Sequence, residues 1–260
     1  MKIAVTGKGG VGKTTFSAIL ARLYANEGKN VLAVDADPDA NLGLALGFDK
    51  RILDQIVPIA HLKKLVNERT GASEENMGKF FKINPKVDDI PDMYAKKYNG
   101  VKLLTLGTVE SGGAGCVCPE NVLIKRIISH LVLYSDDVVI MDMEAGIEHL
   151  GRGTASSVDS FVVVIEPGSR SIQTYEKVKK LAVDLGVDKI KVVANKVRDA
   201  EDEAFVEANV PSEDLLGMIH YNTDLIEADR QGKSPFDFSS QAIQEVDLIK
   251  NKIDHDLLKV

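Results

Sequence analysis

Cysteine is nearly absent: only Cys116 and Cys118 occur among 260 residues. That count excludes a disulfide framework and points to the cytoplasm, where persistent disulfides are rare. Long apolar runs are missing too. No stretch approaches the ~18 residues a membrane-spanning helix needs, so no membrane partner is expected. The opening MKIAVTG turns from strand-like to glycine without an apolar leader or a small-residue cleavage pattern, so no export signal is expected. Nor is there a basic excess, since 32 Lys and Arg face 39 Asp and Glu for a net charge of −7. Nucleic-acid surfaces draw their affinity from phosphate neutralisation, and this balance argues against one. Repeats, low-complexity tracts and linkers are likewise absent, so residues 1–260 read as one domain.

What is present is an ordinary soluble composition, 44% apolar and 27% charged. Strand patterns fall at 2–6, 30–36, 101–107, 138–143, 160–166, 189–195 and 215–220, several of them continuous β-branched apolar runs. Such runs are expected when both faces of a strand are buried. Helical patterns occupy 14–27, 120–134, 171–185, 200–208 and 240–258. The alternation predicts an α/β fold, a mostly parallel sheet with helices on both faces. The polar interval 49–100 reads as an insertion between two core strands, a surface elaboration without chemistry.

The chemistry begins at GKGGVGKT, residues 7–14, which fits G-x-x-x-x-G-K-[ST] between a strand and an apolar helix. Its glycines let the backbone N–H groups of Gly9, Gly10, Val11 and Gly12 turn inward and cradle phosphate oxygens. Lys13 is placed to reach the β- and γ-phosphates and the Thr14 hydroxyl to coordinate Mg²⁺, with Thr15 next in the nucleotide-contacting run. VVIMDM, residues 138–143, carries Asp142 at the end of a buried strand, where a carboxylate binds Mg²⁺ directly or through water. VDADPDAN, residues 34–41, places Asp35 and Asp37 where Pro38 stops a strand, although Asp with Pro also simply favours a turn. Lys8 is an extra loop lysine whose ordinary role is a solvated charge. Glu144 and Glu148 are by default surface carboxylates, and His149 is a lone histidine. Asn195 closes a strand and by itself reads as well as the opening of a turn.

Cys116 and Cys118 lie in GGAGCVCPEN, residues 112–121. Pro119 belongs at a first helical position, which puts Cys118 near an N-cap, where the helix dipole and free N–H groups favour thiolate. Gly112, Gly113 and Gly115 let this backbone approach another surface. A disulfide across two residue steps would be strained, because the extended span of ~6.6 Å is near the limit of cystine geometry. Buried inert thiols are the common alternative. Two thiolates make half of a four-coordinate site, and a homodimer axis beside the loop would supply the other half as an S₄ set.

KGGVGKTT resembles the deviant P-loop ATPases, the group of MinD, ParA, the nitrogenase iron protein and the tail-anchored protein targeting factor. The resemblance implies a SIMIBI-type P-loop fold, ATP as the nucleotide and a homodimer in which Lys8 crosses to the partner's phosphates, as an arginine finger does. It implies a switch I role for Asp37, positioning the attacking water and joining Thr14 and Asp142 around Mg²⁺, with Asp35 supporting the loop or the magnesium shell. MEAGIEHLGR, residues 143–152, is similar to switch II, and Asn195 to an asparagine that hydrogen-bonds adenine. The catalytic set it implies is Lys8, Lys13 and Asp37.

Taken together, the P-loop, GGxxCxCxEN, MDMxAGIEHLxRGT, VIEP and NKVR resemble the CooC/AcsF nickel-insertion ATPases. That implies Ni²⁺ as cargo on Cys116 and Cys118, delivered to carbon monoxide dehydrogenase or acetyl-CoA synthase. Tetrahedral S₄ also suits zinc, so Zn²⁺ fits the same thiols. Two rival readings are an iron–sulfur carrier with a cluster bridging four cysteines and a MinD- or ParA-like positioning ATPase. The first is disfavoured because both cysteines share one loop. The second needs a basic membrane tail or DNA patch, whereas QAIQEVDLIKNKIDHDLLKV is mixed in charge and reads as a packing helix.

Overall fold

Each core strand is followed by a connection that returns the chain to the start of the sheet, and such crossovers make neighbouring strands parallel. The computed structural model describes residues 1–72, 81–107, 118–144, 152–155, 157–187 and 189–257. Its strands are β1 (Lys2–Thr6), β2 (Val31–Ala36), β3 (Lys96–Tyr98), β4 (Val101–Thr105), β5 (Val138–Met143), β6 (Ser160–Ile165), β7 (Ile190–Val197) and β8 (Leu215–His220). They form one sheet in the order β3-β4-β2-β5-β1-β6-β7-β8. Every neighbouring pair is parallel except β3 with β4. The helices are α1 (Lys13–Asn26), α2 (Leu42–Ala45), α3 (Lys50–Leu53), α4 (Lys63–Thr70), α5 (Ile90–Tyr94) and α6 (Pro119–Tyr134). They continue as α7 (Arg152–Ala155), α8 (Ser169–Leu185), α9 (Ala200–Asn209), α10 (Thr223–Arg230) and α11 (Ser240–Leu257).

Alternation along the strands sorts the core into two layers. Ile3, Val5, Ala33 and Ile140 share one layer with Phe16, Ile19 and Leu20 of α1 and Val246 and Ile249 of α11. Ala4, Val34 and Met141 point the other way, into the layer of Leu123 and Ile127 from α6 and Ile172 and Val178 from α8. Each such Val, Leu, Ile, Met or Phe side chain contributes ~1.5–3 kcal/mol on burial, so the apolar pattern accounts for helices on both faces.

The C-terminal helix spends its apolar stripe on this core: Ala242, Val246, Ile249 and Ile253 are buried against α1 and β8. Lys250, also buried, pairs with Asp254 at 2.9 Å and with Glu27 at 2.5 Å, and the Tyr24 hydroxyl donates to Asp254 at 2.8 Å. Among the described residues no helix is long and apolar enough to cross a membrane.

The expected surface elaboration of 49–100 needs correction. Ile59, Ala60, Leu65, Val66, Val87 and Ile90 are buried, and most of them join the α6 layer. The segment is part of the core because it must cover the sheet between β2 and β4. It also holds the unforeseen β3, which is short, polar and exposed and so has no apolar alternation to betray it. The signal was its turn: Asn99 and Gly100 both have positive φ, 46° and 82°, as a tight hairpin requires.

Candidate active site

Parallel strands bring their C-terminal ends to one edge of the sheet, and ligands of open α/β sheets bind outside that edge. The loop 7–12 leaves β1 there, between β5 and β6. Two of its glycines are required by contact as well as by backbone. At Gly7 (φ 147°) a Cβ would lie 2.3 Å from the Val164 carbonyl oxygen, and at Gly12 (φ 96°) 2.1 Å from Asn195 Nδ2. Gly9 and Gly10 are exposed, Val11 and Lys13 buried, and Thr14 and Thr15 half-buried. Gly12 caps α1 without any side-chain hydrogen bond, leaving the helix's first N–H groups for an anion. A cavity of about 540 Å³ opens over them, lined also by Leu225 and Asp229 of α10 and by Lys233. The glycines and Lys13 thus offer convergent positive charge to a polyphosphate.

The acidic groups meet the loop from β2 and β5. Thr14 Oγ1 donates to Asp142 Oδ2 at 2.6 Å, and Lys13 Nζ lies 3.8 Å from Asp37 Oδ2. Asp142 is buried, and its other oxygen, Oδ1, has no hydrogen-bond partner among the described residues. Burial pushes its pKa up to about 6 against the pull of the Thr14 hydrogen bond and the Lys13 charge. An orphaned carboxylate oxygen beside a hydroxyl suits a hydrated Mg²⁺, which takes one or two protein oxygens and completes its shell with water and phosphate. Among the described residues no group of three or more His, Cys, Asp or Glu is arranged to hold a metal ion, so an all-protein metal cage is not what they build.

Asp35 does something different from Asp37. It is buried, and its carboxylate accepts the N–H groups of Leu42 at 2.9 Å and Asp37 at 3.3 Å, so it shapes the loop between β2 and α2. Burial, then the neighbouring Asp142, raises its pKa to about 7. Asp37, less buried, accepts from the Asp39 N–H at 3.1 Å and keeps its second oxygen towards Lys13.

Asn195 braces the phosphate loop: Nδ2 donates to the Val11 carbonyl at 2.7 Å, while Oδ1 accepts the Lys196 N–H at 2.9 Å. One donor and one acceptor of its amide are thereby engaged inside the chain. Its neighbour Lys196, which carried no role in the sequence reading, donates to the Gly10 carbonyl at 2.7 Å and pairs with Glu166 at 2.5 Å. The position of Lys196 directly after Asn195, near the end of β7, was the available signal. Lys8 is exposed, and its carbonyl accepts from the Val11 N–H at a long 3.4 Å. Glu144 is exposed, with its carbonyl accepting from Thr6 Oγ1 at 2.9 Å. Glu148 and His149 lie outside the described residues.

Cys118 is the N-cap of α6, half-buried in extended conformation, with Pro119 at N1 and the Cys118 carbonyl accepting from the Val122 N–H at 3.0 Å. Cys116 and Gly112, Gly113 and Gly115 lie outside the described residues. The cysteine loop leaves β4, which lies beside β2. Leu106, where the loop begins, donates its N–H to the Asp35 carbonyl at 2.9 Å. The cysteines therefore follow the strand that neighbours the Asp35–Asp37 loop.

A mostly parallel sheet with a glycine-rich loop at a helix N-terminus, whose threonine pairs with the buried strand-end carboxylate of Asp142, defines a P-loop ATPase. The chain belongs to the CobQ/CobB/MinD/ParA nucleotide binding domain family, whose model matches residues 2–236. It is 48% identical over 92% of its length to the carbon monoxide dehydrogenase accessory protein CooC of Rhodospirillum rubrum, covering 90% of that protein. An uncharacterised ATP-binding protein of Methanocaldococcus jannaschii is 45% identical, with 97% of each chain covered. Among solved structures, MinD in the MinC:MinD complex of Aquifex aeolicus superposes with TM-score 0.66 at 20% identity, covering 98% of this chain and 96% of the other. A plasmid partition protein of Borrelia burgdorferi bound to AMPPNP gives TM-score 0.68 at 17% identity, covering 100% and 99%. The last two establish the fold.

Proposed function

We propose that this protein is an ATP-switched metal carrier that binds Ni²⁺ on Cys116 and Cys118 of two chains and assists its insertion into carbon monoxide dehydrogenase or acetyl-CoA synthase. The observation that carries this reading is the path of the chain. The strand leading to Cys118 lies beside β2, and the residue starting its loop is hydrogen-bonded to Asp35, whose carboxylate holds the Asp37 loop. A change at Asp37 on nucleotide exchange therefore reaches the cysteine loop through one strand. The 48% identity to a carbon monoxide dehydrogenase accessory protein supports that enzyme as the recipient.

In this mechanism the N–H groups of Gly9 to Thr15 and the Lys13 ammonium bind the phosphates of ATP. Thr14 and Asp142 hold Mg²⁺, which supplies charge neutralisation to the phosphates when bound. Asp37 orients the attacking water, and Asn195 lies beside the loop where its remaining amide valences meet adenine. Lys8, exposed at the mouth, reaches the phosphates of the partner chain in a homodimer. That contact and the paired cysteine loops belong to the same interface, so ATP and metal each favour the dimer, and linkage makes the effect reciprocal.

The test is metal stoichiometry and dimerisation with and without ATP, for wild type and for Cys116→Ser with Cys118→Ser. We expect one Ni²⁺ or Zn²⁺ per dimer, lost in the double variant while ATP binding persists. Equal metal binding without the thiols would refute the carrier role. Iron with visible thiolate-to-iron absorption in anaerobically purified protein would favour the cluster-carrying alternative.

A further inference from the structure

Consecutive residues near the end of β7 each take a carbonyl of the phosphate loop. Asn195 Nδ2 donates to the Val11 oxygen and Lys196 Nζ to the Gly10 oxygen, each at 2.7 Å. A peptide unit is planar, so fixing a carbonyl also fixes the N–H of the following residue. The Gly10 carbonyl shares its plane with the Val11 N–H, and the Val11 carbonyl with the Gly12 N–H. The Val11 N–H makes only a long 3.4 Å bond to the Lys8 carbonyl, and both are donors that a phosphate loop turns inward. Gly10 (φ 82°) and Gly12 (φ 96°) are both left-handed, and a Cβ at Gly10 would meet nothing within 4 Å. Glycine freedom leaves the Gly10 plane able to rotate unless something outside the loop holds it.

Lys196 is built to do so. Its φ of 60° places a non-glycine residue in the left-handed region, which it shares among the described non-glycine residues with the turn residue Asn99 alone. Such a conformation persists where its surroundings impose it. The Asn195 side chain accepts the Lys196 N–H at 2.9 Å, and Glu166 pairs with the ammonium at 2.5 Å. Glu166 is itself tied down, its N–H donating to Ser171 Oγ at 3.3 Å in the first turn of α8. The ammonium thus bridges the loop after β6 and the phosphate loop.

We propose that Lys196 is a positioning residue for ATP: it clamps the Gly10–Val11 peptide so that the loop N–H groups face the phosphates, and Glu166 holds the clamp. Lys196 acts on the loop and not on the nucleotide. The proposal rests on the nucleotide-binding role of this loop.

The experiment uses the full chain and ADP or ATP with Mg²⁺ as probes. Lys196→Gly accepts the left-handed backbone and deletes the ammonium, Lys196→Arg keeps a donor, and Glu166→Gln removes the carboxylate. Calorimetric affinities, steady-state KM and kcat, and the unfolding temperature of the nucleotide-free protein are compared. Lys196→Gly should unfold at or above the wild-type temperature, yet bind ADP and ATP alike about tenfold more weakly, the loss of one charge-assisted hydrogen bond. KM should rise more than kcat falls, and Lys196→Arg should recover most of the affinity. Unchanged affinity in Lys196→Gly overturns the proposal. So does a loss confined to ATP, which would make Lys196 a direct γ-phosphate contact. Should Lys196→Gly fail to fold, Glu166→Gln decides, with about threefold weaker ADP binding at unchanged stability expected and wild-type affinity overturning the clamp. Wild-type protein that binds no ADP would refute the nucleotide reading itself, and the clamp with it.

Discussion

Asp35 of β2 stands directly opposite Asp142 of β5 in the sheet register, and both carboxyl groups are buried. One shapes the loop that carries Asp37, and the other faces Thr14. Two acids side by side in a low-dielectric place cannot both ionise cheaply, and that couples the Thr14–Asp142 pair to the loop beside it.

Stability should therefore depend on pH in a direction opposite to that of ordinary paired acids. Burial raises Asp35 to about 7 and Asp142 to about 6, while in the unfolded chain both titrate near ~4. Between these limits the folded state binds more protons, so these two groups make the nucleotide-free protein less stable as pH rises from 4 to 7. Urea midpoints across that range should fall less steeply with pH in Asp142→Asn than in wild type. An identical slope would mean that the pair is ionised normally.

Lys8 is exposed, and its side chain has room to reach a second chain. Lys8→Ala should keep ADP and ATP affinity near wild type and lose ~10²-fold or more in ATP turnover, as other trans-acting cations do. Turnover near the wild-type rate would remove the lysine from the reaction.

Gly12→Ala should abolish nucleotide binding. The added methyl would sit 2.1 Å from Asn195 Nδ2 in a backbone with φ 96°, expelling the amide that braces Val11. A drop of ~1–3 kcal/mol in stability should accompany it. Gly9→Ala, where a Cβ meets nothing within 4 Å, should fold as wild type, and equal unfolding midpoints for the two variants would contradict the packing.

His220 closes β8 between two glutamates, with Nε2 at 3.1 Å from Glu203 and Nδ1 at 3.0 Å from Glu245, joining α9 to α11. The Glu203 hydrogen bond, with Glu245 beside it, raises its pKa against the effect of burial. A raised histidine pKa contributes stability that is present below the unfolded value of ~6.5 and lost as pH climbs through the folded value. His220→Gln should therefore cost most stability near pH 6 and almost none near pH 9, read from chemical denaturation at both. A cost independent of pH would assign the residue to packing alone.

The sheet's seven parallel strands were legible because most are short apolar runs with both faces buried, and the phosphate loop because glycine alone follows its backbone at Gly7 and Gly12. Cys118 at an N-cap followed from Pro119, which has no N–H to lose at N1. The hairpin strand β3 was not legible, since KKY is exposed and pairs along one edge only. The resemblance separated Asp37 from a supporting Asp35, but nothing in the letters said why they differ. Their difference is burial, set by which neighbour each strand position receives: Asp35 faces Asp142, while Asp37 has left the sheet.

Local composition by itself thus determined the seven parallel strands, the five longest helices and the phosphate loop, because periodicity and glycine conformational freedom act within a few residues. Only the tertiary structure decided that Asn195 and Lys196 would hold the carbonyls of Val11 and Gly10, more than 180 positions away. Strand order makes that choice. It sets β7 next but one to β1, close enough for side chains to reach the loop and too distant in sequence for any pattern to announce.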